Sequence, residues 1–466
     1  MFELNKWLIE NAKKYPDKLA IIYENDSLTY KNLQDKVHEL SKKLPNIKRV
    51  GVYIDNSLDS AVLIHSLIER HIEIVMINTR LSAKEINNQL SDVNVDTIFS
   101  TILSCVLDDV EAKVFDYNDL LNLKEVEYEK LDANDDDILS IMFTSGTTGR
   151  PKAVTQTYLN HYASHLNAKK GLKYDLNSTW LMVNPIFHIS GFSILMRAII
   201  SGCTLIIHNK FDTKHVLDVI EQQKVTHTSF VPVMLSRIMS DENVDKKDLS
   251  SLQAILMGGA NTTPKLLKSA ISLNLPVYNS FGMTETCSQI VIISHDDEKI
   301  LSGTVGKVND NIYVNENSEL LVKGQNVTNG YLNAEINIED EFFNTGDIAA
   351  VEDGYLYILD RRDDLIISGG ENIYPKEIED VVLKYTDLNA CVVVKKDDEE
   401  WGQVPVLIVE EKVNNSTLAA LFNKHLARFK HPKEVIIVDE IKYTPSGKIS
   451  RKLNREAYIN TSTSSF

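Results

Sequence analysis

Residues 144–152, Thr-Ser-Gly-Thr-Thr-Gly-Arg-Pro-Lys, gather hydroxyls, glycines and one ammonium in a way that ordinary globular packing does not require. Thr144 leads in. Ser145, Thr147 and Thr148 supply hydroxyls, Gly146 and Gly149 let backbone N–H groups approach an anion, and Lys152 adds a charge-assisted contact. Together these groups suit a polyphosphate. A Walker loop is excluded, because that pattern needs four residues between its glycines and two separate Gly146 from Gly149. A second candidate is Glu285, after Asn279-Ser280-Phe281-Gly282-Met283-Thr284, where a carboxylate at a strand end could hold Mg²⁺ against phosphates. Two further positions are ambiguous by residue type alone: Asp347 reads as a turn aspartate, and Lys448, with Arg451 and Lys452, reads as a solvated basic tail.

The elements that must position these groups follow from periodicity. Ile138–Phe143 is an apolar run of the length of a buried strand, ending where the phosphate cradle begins. Upstream, a helix is predicted over 5–15, strands at Ala20–Tyr23 and Leu28–Tyr30, and a helix face at Leu33, Val37, Leu40 and Leu44. Strand and helix then alternate: Val50–Ile54, a helix over 57–70, Ile74–Ile77, a helix opened by the capping box Ser82-x-x-Glu85, and Thr97–Ser100. The acidic stretch Asp132–Asp137 reads as a solvated linker. A second alternating run follows: Trp180–Val183, a helix over 191–200, Thr204–Ile207, a helix over 213–222, Thr226–Phe230, Ala254–Met257 and Val277–Asn279. Two of its strands are expected to end in polar turns, Gly258-Gly259-Ala260 and 279–285. Ligands bind at such strand ends in open α/β sheets. From 301 the strands shorten, as in a small β subdomain.

The fold expected is α/β. A large N-terminal domain, 1–360, has mostly parallel sheets covered by helices plus a small β subdomain, and 361–466 forms a smaller, mobile α+β domain. A length of 466 residues is too great for one core. The net charge of −17 argues against nucleic-acid or anionic-membrane binding. The four cysteines lie far apart with no Cys-x-x-Cys pair, so neither a zinc site nor a disulfide framework is indicated, and reduced cytosolic thiols are the simplest reading. The N-terminus lacks an apolar signal core, and 179–209 is too interrupted by Pro185, His188, Gly191, Arg197 and Gly202 to span a membrane. A cytoplasmic enzyme is expected, and a homo-oligomer is left open.

The segment 144–152 resembles the phosphate-loop signature of the adenylate-forming superfamily, which includes acyl-CoA and aryl-CoA ligases, luciferases and peptide-synthetase adenylation domains. Further motifs in the family's order extend the resemblance across nearly the whole chain. The resemblance implies ATP, Mg²⁺ and CoA as cofactor and co-substrates, with small molecules as the partners. It implies that Thr284 and Glu285 serve the α-phosphate and metal, that Phe281, between Ser280 and Gly282, packs on adenine, and that Gly258-Gly259-Ala260 covers the other adenine face. Asp347 would accept both ribose hydroxyls, Arg361 would contact the ribose, and Asp363 would be the hinge. Asp360 stands where the family usually has glycine. Lys448 would bridge the substrate carboxylate and α-phosphate, so Lys448, Thr284 and His188 form the expected catalytic set. Gly369, Gly370 and Trp401 resemble the CoA-binding segments.

For the acid, His188 cannot supply the negative charge with which amino-acid adenylation domains bind a substrate amine. Ala153, 155–164, 188–191 and 279–289 resemble the branch that activates 2-succinylbenzoate for menaquinone biosynthesis. That acid has a second carboxylate needing a partner. Arg197, with Ser190 beside it, is the candidate, against a placement at the helix's solvent edge. A medium-chain or aryl acid–CoA ligase is the rival within the class. An amino-acid adenylation domain or a dead nucleotide-binding scaffold is the rival outside it, and a scaffold would be expected to have lost Lys448, Glu285 or Asp347.

Overall fold

The computed structural model describes residues 4–129, 131–144, 151–260, 262–361, 364–368, 371–398, 401–412, 414–444 and 447–459. The chain divides into two compact units, one of Met1–Gly259, Ser269–Glu298 and Lys323–Ile338, the other of Ala260–Lys268, Lys299–Val322 and Glu339–Phe466. Residues 360 and 361, the expected boundary, both belong to the second unit.

The first unit contains two sheets. One runs in the order Lys113–Asp116, Thr97–Ser100, Arg49–Tyr53, Glu73–Met76, Ile138–Thr144, Lys152–Thr157. Its pairings are parallel except the last, an antiparallel hairpin in which Thr144 lies opposite Lys152. The other runs Ser288–Ser294, Val277–Met283, Ala254–Met257, His227–Phe230, Thr179–Met182, Thr204–Ile207, Leu19–Tyr23, Asp26–Thr29, parallel inside and antiparallel at both edges. Parallel strands buried on both faces explain the continuous apolar runs. The helices Leu58–Glu69 and Ile189–Ser201 are buried over most of their length, and Phe192, Leu195 and Trp180 are shielded from solvent in one core. Each such large apolar side chain contributes roughly 1.5–3 kcal/mol relative to exposure.

Local signals act as expected. Ser82 and Glu85 form the capping box of Ala83–Asp92, and Thr157 with Asn160 does the same for Tyr158–Leu172. A cap of this kind contributes about 1 kcal/mol.

The second unit holds an antiparallel sheet built on Phe342–Glu352 and Tyr355–Arg361, and a second sheet in which Gly402–Val409 pairs with Cys391–Asp398 and, in parallel, with Glu434–Ile437. Its helices include Pro375–Tyr385 and Arg451–Tyr458. Both units therefore mix helix and sheet as the sequence pattern requires.

Candidate active site

Of the phosphate-cradle residues, Thr144 and Lys152 are described, as the opposed ends of the hairpin; Ser145, Gly146, Thr147, Thr148 and Gly149 lie outside the described residues. Lys152 Nζ sits 4.9 Å from the centre of the Tyr331 ring, and the Tyr331 hydroxyl donates to Glu285 Oε1 at 3.0 Å. One tyrosine thus brings the lysine of the cradle and the candidate metal carboxylate onto the same spot. Its segment is stitched to Lys152–Thr157, where Thr155 N donates to Gly330 O (3.0 Å) and Leu332 N to Ala153 O (3.0 Å), and to Glu285, whose carbonyl accepts from Thr328 N (2.7 Å). The sequence reading missed Tyr331; the run Thr328-Asn329-Gly330-Tyr331 was the available signal.

Glu285 is 6% exposed, and it forms no ion pair with a basic side chain among the described residues. Among those residues no cluster of three or more His, Cys, Asp or Glu could hold a metal. A divalent ion here would depend on Glu285 together with phosphate oxygens, which suits magnesium, a cation that takes one or two protein carboxylates.

The expected polar turn at 279–285 is corrected by the structure. Val277–Met283 is one strand paired with Ser288–Ser294, and only Thr284–Thr286 turns. Gly282 makes the pairing possible, since a Cβ there would collide with the Ser288 carbonyl. The strand Ala254–Met257 lies beside it, with Met257 opposite Asn279, so Gly258 and Gly259 emerge next to Ser280 and Phe281. The Ser280 hydroxyl donates to Met257 O at 2.7 Å, fixing that crevice. Ala260 follows, exposed. The Thr284 carbonyl accepts from Gln156 Nε2 (2.8 Å), whose Oε1 accepts from Ser140 on the strand leading into the cradle (2.8 Å).

His188 precedes the helix Ile189–Ser201, its ring 4.7 Å from that of Phe187. Ser190 is half-buried in the first turn. Gly191 lets this turn close on the preceding loop, because a Cβ would strike the Pro185 carbonyl. Arg197 is not at the solvent edge. It is 2% exposed. Its Nη2 donates to Ser288 Oγ at 2.9 Å and to Gln289 Oε1, while Nε has no hydrogen-bond partner among the described residues. Burial lowers its pKa, yet an arginine stays protonated in proteins. The result is a buried cation held by neutral groups, with no carboxylate partner among the described residues.

Nearby, His161 lies 2.8 Å from Ser140 Oγ and 3.3 Å from Cys287 Sγ. Burial first, and the Arg197 charge second, push His161 down to about 3. Burial also pushes the Cys287 thiol up. This Cys–His pair is neutral and supplies no thiolate.

In the second unit, Asp347 is corrected from an exposed turn to the interior of the strand Phe342–Glu352, where it is 3% exposed. Arg361 is its cross-strand partner, with Nε 2.7 Å from Asp347 Oδ1. Lys448 is exposed, and its backbone is tied to Thr444: Thr444 N donates to Lys448 O (2.6 Å) and Lys448 N to Thr444 Oγ1 (3.1 Å). Trp401 is exposed, with Lys433 Nζ 5.5 Å from its ring centre. Asp363, Gly369 and Gly370 lie outside the described residues.

Two family models match the chain: AMP-binding enzyme over residues 8–332, and AMP-binding enzyme C-terminal domain over residues 377–448. A 2-succinylbenzoate–CoA ligase of Staphylococcus epidermidis is 42% identical, across 98% of this chain and 98% of its own length. Among solved structures, o-succinylbenzoate CoA synthetase (MenE) from Bacillus subtilis in complex with the acyl-adenylate intermediate OSB-AMP matches with a TM-score of 0.88 and 31% identity, over 96% of this chain and 97% of that one. The same enzyme in complex with ATP and magnesium ion matches with a TM-score of 0.88 and 30% identity, over 96% and 98%.

Proposed function

The chain belongs to the AMP-binding enzyme family, and from that premise we propose that it is an ATP-dependent acid–CoA ligase converting 2-succinylbenzoate to 2-succinylbenzoyl-CoA in menaquinone biosynthesis. Two half-reactions compose this activity. A substrate carboxylate oxygen attacks the α-phosphorus of ATP and pyrophosphate leaves, giving the acyl-adenylate. The CoA thiol, losing its proton, then attacks the acyl carbon and AMP leaves.

The residues divide that work. Lys152 and the cradle hold phosphate oxygens, while Thr284 and Lys448 stabilise charge on the α-phosphate and the attacking carboxylate. Losing one such preorganised contact costs roughly 3–4 kcal/mol of transition-state stabilisation. Glu285, oriented by Tyr331, would hold magnesium, which when bound neutralises phosphate charge. Gly258, Gly259 and Phe281 bracket adenine, and Asp347 takes the ribose hydroxyls. Asp363 would be the hinge between the domains 1–360 and 361–466, with Gly369, Gly370 and Trp401 serving CoA.

The observation that supports the particular acid is Arg197: a buried guanidinium with no carboxylate partner among the described residues suits a ligand that brings its own. The non-reacting carboxylate of 2-succinylbenzoate is such a group, with His188 and Ser190 at the head of the same helix. Among the described residues no helix is long and apolar enough to cross a membrane, and a cytoplasmic location is part of the proposal. The test is pyrophosphate release across a panel of carboxylic acids, followed by mass determination of the CoA product. Turnover of medium-chain acids with none of 2-succinylbenzoate would replace the substrate assignment.

A further inference from the structure

Asp360, which stands where the resembled family has glycine, is 4% exposed at the end of the strand Tyr355–Arg361. Both of its oxygens are engaged. Oδ1 accepts from Arg361 N at 2.8 Å and lies 3.2 Å from Arg451 Nη1; Oδ2 accepts from Lys376 N at 2.8 Å, in the first turn of Pro375–Tyr385. Lys376 Nζ in turn donates to Ile358 O at 2.8 Å. Arg451 is the hub: Nη1 also meets Asp364 Oδ2 at 3.1 Å, Nη2 meets Glu379 Oε2 at 2.7 Å, and Nε donates to Val393 O at 3.2 Å. Burial disfavours charge on this guanidinium, but Glu379, Asp360 and Asp364 outweigh it and raise its pKa.

The order of these residues along the chain gives the cluster its consequence. Asp360 precedes residue 363, whereas Asp364, Lys376, Glu379 and Arg451 follow it. With the hinge proposed above at Asp363, rotation would separate Asp360 from Lys376 N and Arg451, while Asp364 and Glu379 would travel with Arg451. The guanidinium would then keep two of its three carboxylates, Asp364 and Glu379, throughout. Only one arm opens. Arg451 also begins its helix three residues after Lys448, so this arm fixes the lysine's segment against the strand carrying Arg361.

We propose that Asp360 and Arg451 are positioning residues forming a latch across the hinge, which sets how the enzyme divides its time between the arrangements serving its two half-reactions. The latch rests on the ligase reading above, with its hinge at Asp363. The test measures each half-reaction separately in the full-length enzyme: pyrophosphate release from ATP and acid, and thioester formation from supplied acyl-adenylate. Asp360→Gly should change the ratio of the two rates by ten-fold or more, with the KM for ATP within two-fold and faster trypsin cleavage at Arg361-Arg362. Asp364→Asn, whose side chain moves with Arg451, should leave the ratio within two-fold. If Asp360→Gly fails to fold, Asp360→Asn, which keeps a hydrogen-bond acceptor but loses the charge facing Arg451, should change the ratio in its place by three-fold or more. An unchanged ratio in the folded variants, or a parallel fall of both half-reactions with a lowered Tm, overturns the latch. Absence of pyrophosphate release by the parent with every acid tested overturns the ligase reading instead.

Discussion

Asp347 and Arg361 face each other across adjacent strands, the carboxylate 4% exposed and the guanidinium 47% exposed, 2.7 Å apart. Such a pair contributes little by itself, because half of it is solvated. Its use is to orient a carboxylate. Asp347→Asn keeps the shape but loses the ionic acceptor, and hydrogen bonds to charged groups contribute about 1.5–3 kcal/mol. The KM for ATP should rise by roughly ten-fold to a hundred-fold. An unaltered KM would remove Asp347 from the nucleotide site.

Glu285→Ala should abolish pyrophosphate release with little change in Tm, because the carboxylate's one described side-chain bond is to the Tyr331 hydroxyl. Tyr331→Phe should retain activity but need more Mg²⁺ for half-maximal rate. Full turnover in excess EDTA would contradict the metal assignment.

Lys448 is solvent-exposed, so Lys448→Ala should leave the fold intact. It should block adenylate formation and spare conversion of supplied acyl-adenylate to the thioester. Equal loss of both half-reactions argues against its assignment to the first step.

Arg197→Ala removes one partner of a desolvated charge pair once substrate is bound, a loss of about 2–5 kcal/mol. kcat/KM for 2-succinylbenzoate should fall by roughly thirty-fold to several thousand-fold, with ATP binding nearly unchanged. An analogue lacking the benzoate carboxylate should lose far less on mutation. If the mutant handles both compounds as the parent does, Arg197 is structural.

His65, His161 and His165 are buried, and burial holds them down to about 4, 3 and 3 respectively. The unfolded chain takes up protons below about 6.5 that the folded state refuses, so stability is full above that pH and lost as pH falls. Each group contributes about 1.4 kcal/mol per pH unit in that window. Tm should drop from pH 7 to pH 5, and less steeply in His161→Asn; identical slopes would exclude His161 as a contributor.

Much of this protein is written in short windows. The capping box at Ser82 and Glu85 and the apolar run entering the cradle at Thr144 depend on neighbours within a few residues, so periodicity and residue type suffice. Resemblance to the family's motifs likewise singles out Glu285, Asp347 and Lys448 as candidates without any knowledge of packing. What periodicity could not see was set by distant partners. Asn279–Met283 is polar enough to read as a turn, but it is a strand because Ser288–Ser294 folds back on it and Gly282 leaves room. Asp347 looked exposed because turn residues surround it, yet cross-strand pairing with Arg361 carries it inside. Arg197 was undecidable on an apolar helix, since either side could face water. Ser288 and Gln289, about ninety residues away in sequence, decide it by holding Nη2 of a buried guanidinium. Tyr331 was silent until its ring met Lys152 and its hydroxyl met Glu285. Backbone propensity is a local property, whereas the solvation and pairing of a charged side chain belong to whatever the folded chain places around it.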